Sequence, residues 1–348
     1  MSTALSATLF GPEDLRLTEI ALGDLAPGMV RVRFGAGGIC GSDLHYFRHA
    51  RTGDFVVTSP LTLGHELAGV VAEIAGDVPS LQLGDQVAVN PSRWCGTCPR
   101  CRERRQNLCE NIFFMGSASR TPHMQGGFSS LFDATPNQCV KVPDSLPMAA
   151  AALAEPLAVA LHAVRRAGDV AGKSAIIFGA GPIGLLVLLT AKLKGCGTVA
   201  VADIAAAPLA FAAKLGADWT LDLSGGDEPL KDYGAETAID LAFEVSGTVA
   251  GLASAIAAVR RGGTVVQVGN LAAGPLPVPA NAVMAKELDL KGSFRFGCEF
   301  AKAVGLIALG EVDVLQLVTA ERPLAAAPAA FRLALDRSQS VKVMLTVT

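Results

Sequence analysis

Little in this sequence of 348 residues points toward a charged or lipid partner. Its formal net charge is only −3, with both signs interspersed, so neither nucleic acid nor an acidic membrane surface is expected to bind. The one basic cluster, Arg100-Cys101-Arg102-Glu103-Arg104-Arg105, sits inside a cysteine motif, where exposed loop charge explains it. Met1 to Leu9 shows neither the basic nor the apolar segment of a secretory leader. The most apolar stretch, Ala175 to Ala191, is broken by glycines and Pro182 and falls short of the ~20 residues that a membrane helix needs. No repeat with the period of a solenoid or propeller is apparent. A cytoplasmic protein is therefore expected.

What is present is ample core. The chain is 51% hydrophobic and only 18% charged, far from the disordered corner of composition. Its length exceeds that at which one core stops growing, so two domains are expected. Eight cysteines without an export signal argue for metal or free thiols rather than disulfides.

The chemistry is concentrated between residues 40 and 66, which begin Cys40-Gly41-Ser42-Asp43-Leu44-His45 and end Gly64-His65-Glu66. Thiol, imidazole and carboxylate are the ligand types zinc accepts, and three protein ligands with an open fourth position define a catalytic site. Cys40 and His65 supply two candidates. The third is Glu66 or, much further on, Glu155. A lone buried thiol beside a solvated strand end is the bland alternative, but it leaves the joint occurrence of these residues unexplained.

Short alternating segments separated by glycine and proline turns make the first part of the chain a β-rich, barrel-like domain. Within it, Cys95, Cys98, Cys101 and Cys109 have the spacing of a closed four-thiolate zinc site, which staples a small lobe and does no chemistry. An alanine-rich helical stretch from Met148 to Ala167 follows, with Glu155-Pro156 placed at a helix start or kink because proline removes a backbone donor.

Ser174 to Phe178 then reads as a buried strand leading into Gly179-Ala180-Gly181-Pro182-Ile183-Gly184 and a helix. That G-x-G-x-x-G lets the backbone approach a pyrophosphate at a helix N-terminus. The next strand ends in Asp203, an acid suited to the adenosine ribose hydroxyls and hostile to a 2′-phosphate. No Arg or Lys follows until Lys214, which favours NAD over NADP. Further strand–helix units, one of them ending at Val268-Gly269, complete a doubly wound α/β sheet with ligand expected at the strands' carboxyl ends.

These motifs together resemble the zinc-dependent medium-chain dehydrogenases along nearly the whole chain. Glu155-Pro156-Leu157-Ala158-Val159-Ala160 looks like the sorbitol (polyol) dehydrogenase branch. Phe114 to Ala118, Pro122-His123, Gly126-Gly127-Phe128 and Gly292-Ser293-Phe294-Arg295-Phe296 look more like the L-idonate 5-dehydrogenases. The resemblance implies a GroES-like catalytic domain of residues 1–150 and 292–348, with its zinc lobe at 93–111, and a Rossmann domain of residues 151–291. It further implies a catalytic and a structural zinc, NAD, and often a homotetramer. The family's proton relay maps onto Ser42 and His45, and Asp43 matches the acid that orients the metal-bound histidine. Where branch members often carry Arg after the ribose-binding acid, this chain has Ala205-Ala206-Ala207-Pro208.

The function expected is reversible oxidation of L-idonate to 5-ketogluconate. Arg295 is the candidate anchor for the substrate carboxylate, with His123 and Arg120 as weaker contacts and Tyr46 and Phe55 as pocket walls. Sorbitol or xylitol oxidation, L-threonine oxidation and a catalytically inert NAD-binding protein are the alternatives.

Overall fold

The computed structural model describes residues 3–347. The chain forms two compact units, one holding the chain up to Glu155 and from Phe300 onward, the other spanning Pro156–Glu299. These limits lie a few residues beyond those expected at 150 and 292. One reason is that the Met148–Ala152 helix belongs to the first unit, where the Met148 side chain lies over Gly35.

The first unit is built on a seven-stranded sheet. Its path runs Cys139–Lys141, Gln86–Val89, Glu66–Ile74, Val30–Gly38, Lys342–Thr346, Val318–Pro323, with Leu131–Ala134 also pairing with Val30–Gly38. A smaller sheet joins Asp14–Ala21, Thr3–Gly11 and Leu61–Thr62. Val32, Phe34, Leu63, Leu67, Val343 and Leu345 point into one shared core, as period-2 alternation requires. The last strand pairs antiparallel with Val30–Gly38, so the end of the chain is woven into its beginning. The Ala327–Leu335 helix sets Phe331 edge-on against Phe47 and Phe128, at centroid separations of 5.5 and 6.1 Å. Phe47 lies on the Gly41–His49 helix, so that helix, with Ser42, Asp43 and His45, is held by packing.

The second unit is a six-stranded parallel sheet. Its order is Trp219–Asp222, Thr198–Asp203, Ser174–Phe178, Leu241–Glu244, Thr264–Gln267, Asp289–Gly292. The chain starts in the middle, winds one way, then returns and winds the other, which is the doubly wound Rossmann order. The reversal falls between Ser174–Phe178 and Leu241–Glu244, whose ends register Phe178 with Glu244. Their sequences are almost continuously apolar, as strands covered on both faces must be.

The stretch Met148–Ala167 is one helical rod interrupted at Leu153. By length and composition it could cross a bilayer, but 83% of its apolar window is buried inside the fold, where it acts as a core helix. Pro156 falls in the first turn after the interruption, where its missing N–H costs no helical bond, and Glu155 stands beside it.

Candidate metal and dinucleotide sites

Three ligand atoms converge in the first unit. The Cys40 thiol, a His65 ring nitrogen and a Glu66 carboxylate oxygen lie within 4.8 Å of one another. Cys40 caps the Gly41–His49 helix, while His65 and Glu66 stand at the start of the Glu66–Ile74 strand. Gly38 registers opposite Glu66, which brings the loop to Cys40 against that strand.

The surrounding groups are acidic. Asp43, fully buried, accepts a hydrogen bond from the Cys40 backbone N–H at 3.0 Å and another from Gly64 N–H at 3.4 Å. Its Oδ1 lies 3.4 Å from His65 Nδ1, which leaves Nε2 as the nitrogen able to ligate. Burial lowers the His65 pKa, but Asp43 and Cys40 outweigh it and hold the imidazole well above its ordinary value. Glu155 falls outside the three-ligand group but close enough to feel it. Burial pushes its carboxyl up to about 7, with Glu66 and Asp43 adding and His65 and Lys342 opposing.

A lysine that sequence reasoning missed completes the cluster. Lys342, on the last strand, donates to Glu66 Oε1 at 2.6 Å and to the Ile39 carbonyl at 3.0 Å. The other oxygen, Oε2, also lies against the ammonium, at 2.5 Å, so the lysine grips both oxygens of the carboxylate. The available signal was a charged residue inside the apolar run Val341-Lys342-Val343-Met344-Leu345.

The remaining expected contacts divide. Ser42 is half-buried at the start of the Gly41–His49 helix, and His45 sits one turn on at its exposed side. Partial desolvation and nearby His49, at 6.3 Å between rings, hold the His45 pKa below its usual value. Tyr46 is buried, and its hydroxyl accepts from Ala118 N–H at 3.0 Å, so it pins the loop after Phe114. Phe55 is 40% exposed on a two-residue strand.

His123, a candidate substrate contact, is buried with both ring nitrogens engaged. Nε2 accepts from Thr58 N–H at 2.8 Å and Nδ1 meets the Arg120 carbonyl at 2.8 Å, so the ring joins two loops and has no nitrogen left for a substrate. Arg120 donates to the Ile112 carbonyl and stacks on Phe113, with its guanidinium 4.6 Å from the ring. Arg295 lies in the second unit, in the left-handed region at φ 51°, with its guanidinium 4.8 Å from the Phe294 ring.

The four cysteines of the lobe come together as well, all ligand atoms within 4.8 Å. The Cys95–Cys101, Cys98–Cys109 and Cys109–Cys95 sulfurs are 4.0, 3.9 and 3.5 Å apart. A tetrahedron of ~2.3 Å zinc–sulfur bonds has edges of roughly 3.8 Å. A disulfide needs ~2.05 Å. The spacing therefore fits zinc.

In the second unit, Gly179 adopts φ 108°, which a side chain would strain, and the Pro182–Leu193 helix begins immediately after Gly181. A Cβ on Gly184 would overlap the Gly179 carbonyl, so that glycine allows the helix to close on the turn. Asp203 ends its strand and is buried. It accepts from Ala180 N–H at 2.7 Å, from Ile204 N–H at 2.8 Å and from Ala205 N–H at 3.0 Å. The acid expected at the ribose thus also ties the glycine turn to the next strand. Val268 and Gly269 sit at the carboxyl end of the Thr264–Gln267 strand, both N–H groups donating to the Glu244 carbonyl.

Residues 26–144 match the alcohol dehydrogenase GroES-like domain, and residues 182–308 match the zinc-binding dehydrogenase domain. The chain is 37% identical over 341 residues to the L-idonate 5-dehydrogenase (NAD(P)(+)) of Escherichia coli K12, covering 98% of both proteins. It belongs to the zinc-binding dehydrogenase family. A sorbitol dehydrogenase from Bos taurus is equally similar, 37% identical over 345 residues, covering 98% of this chain and 95% of the bovine protein. The crystal structure of the Escherichia coli L-idonate 5-dehydrogenase superposes with a TM-score of 0.93 at 36% identity, covering 99% of this chain and 98% of that one.

As a zinc-binding dehydrogenase, this oxidoreductase carries a donor set suited to the ion. One thiol, one imidazole and a carboxylate meet in a largely buried cluster, the donor types that zinc accepts, and a divalent cation there offsets the acidic groups Asp43 and Glu155 beside it.

Proposed function

We propose that this dehydrogenase oxidises a secondary alcohol of a polyol or sugar acid, with L-idonate as substrate, 5-ketogluconate as product and NAD as hydride acceptor. The observation that carries the reading is the Cys40–His65–Glu66 convergence in a chain similar over nearly its full length to an L-idonate 5-dehydrogenase. When bound, zinc lowers the pKa of an alcohol oxygen from about 16 toward 7, and NAD takes the hydride.

The chain's own residues do the rest. Cys40, His65 and Glu66 hold the ion, and Asp43 fixes the His65 ring so that Nε2 is presented as a lone pair. Ser42 takes the substrate hydroxyl proton at Oγ and hands it toward His45 and solvent. Glu155, buried beside the ligand set, is a second carboxylate placed to take part in proton exchange there. Asp203 accepts from the adenosine ribose, and the absence of a basic residue before Lys214 leaves a 2′-phosphate without a partner, which favours NAD. Arg295 pairs with the substrate carboxylate. Cys95, Cys98, Cys101 and Cys109 hold the structural zinc.

A substrate panel tests the reading: L-idonate, D-gluconate, sorbitol, xylitol and L-threonine, each with NAD and NADP. The highest kcat/KM is expected for L-idonate with NAD. The similarity to a sorbitol dehydrogenase favours a second reading, a neutral-polyol dehydrogenase, which a higher kcat/KM for sorbitol or xylitol would establish.

A further inference from the structure

A buried ammonium is costly unless paired, so a lysine that is 2% exposed at the start of the last strand calls for an account. Val343 and Leu345 point into the barrel core, and period-2 alternation therefore turns Lys342 to the opposite face of its strand, toward Glu66. There its Nζ donates to Glu66 Oε1 at 2.6 Å and to the Ile39 carbonyl at 3.0 Å. Ile39 directly precedes Cys40, so one ammonium ties the segment that carries the thiol to the carboxylate beside His65. Room for this is made by Gly38, where a Cβ would overlap the Glu66 carboxylate and crowd the Lys342 Cε. Both Glu66 oxygens therefore lie against the ammonium, Oε1 at 2.6 Å and Oε2 at 2.5 Å, and the carboxylate is fixed by it. Glu155 has no lysine on it among the ion pairs of the described residues.

We propose that Lys342 is a positioning residue: it holds the Glu66 carboxylate against the Ile39–Cys40 segment and so presents Glu66, rather than Glu155, as the carboxylate ligand of the zinc. This rests on the reading of Cys40, His65 and Glu66 as the zinc site. A residue at the far end of the chain thereby completes the ligand geometry and makes the choice between two candidate acids. Partners that orient a metal ligand are typically worth about 10–100-fold in metal affinity.

The test is the zinc content of the purified enzyme, the rate of zinc release to a chromogenic chelator, and the visible spectrum after exchange of cobalt(II) for zinc. Wild type should hold two zincs per chain, one per cluster, and Cys40→Ser one. If Cys40→Ser still holds two, the zinc-site reading itself fails, whatever Lys342 does. Given that control, Lys342→Met should release one zinc about 10–100-fold faster, shift the cobalt bands and keep the cysteine-lobe zinc. Lys342→Arg should restore most of the retention.

Release from Lys342→Met at the wild-type rate overturns the proposal. Slower release also overturns it, by revealing a cation that competes with the ion. Should Lys342→Met fail to fold, the Lys342→Met/Glu66→Gln pair, which removes both charges together, carries the test. Its release should match that of Glu66→Gln alone, and a further loss in that background contradicts the proposal.

Discussion

Replacing Asp43 by asparagine removes one charge from a fully buried position while keeping its shape, and the consequence follows from three contacts. The carboxylate accepts from Cys40 N–H at 3.0 Å and Gly64 N–H at 3.4 Å, and its Oδ1 faces His65 Nδ1 at 3.4 Å. An amide has one acceptor oxygen and one NH2. Keeping the oxygen on Cys40 N–H, the shorter bond, turns the NH2 toward Gly64 N–H and His65. One buried donor is then unsatisfied, at about 1–3 kcal/mol. His65 meets that NH2 best with Nδ1 as acceptor, which moves its proton to Nε2, the nitrogen required for the ion. Zinc retention at this site should fall about 10–100-fold, or roughly 1.4–2.8 kcal/mol. The assay is zinc release to a chelator, with the cysteine-lobe zinc as internal reference and thermal unfolding as a check on the fold. A folded Asp43→Asn protein that releases both zincs at wild-type rates refutes the reasoning.

Other substitutions address separate parts of the account. Gly184→Ala places a Cβ on the Gly179 carbonyl, so NADH affinity by fluorescence titration should drop at least about tenfold while zinc content stays unchanged. Cys109→Ser breaks the lobe's tetrahedron and its small cluster with Trp94 and Ile112. One zinc should be lost by elemental analysis, and residues 93–111 should become the first site of limited proteolysis. Arg295→Ala should lower kcat/KM for L-idonate by about tenfold or more and leave sorbitol turnover little changed. Equal losses on both substrates would remove Arg295 as the carboxylate anchor.

The sequence carried the parts of this molecule that depend on local spacing. Four cysteines within one short lobe, a glycine fingerprint between a strand and a helix, and an acid ending the next strand are each encoded within a few residues, and the structure assembles each of them. Contacts made across the chain were harder to see. Whether Glu66 or Glu155 joins Cys40 and His65 depends on which carboxylate the fold places within ligand distance, and that is set by strand register opposite Gly38. Lys342 joins the cluster because the final strand pairs with Val30–Gly38, a pairing between the two ends of the chain that no local pattern announces. His123 was a candidate substrate contact, because its partners, Thr58 and the Arg120 carbonyl, are brought to it by loop packing that no local pattern shows. The break in the alanine-rich segment was legible locally, because Pro156 marks a helix start or kink, and the interruption falls three residues earlier at Leu153.

The role of an ion at Cys40, His65 and Glu66 is open to a direct measurement, zinc removal. Stripping the enzyme with a chelator until only the cysteine-lobe ion remains should abolish L-idonate oxidation, and adding back one equivalent of zinc should restore it. Undiminished turnover by the stripped enzyme would contradict the account.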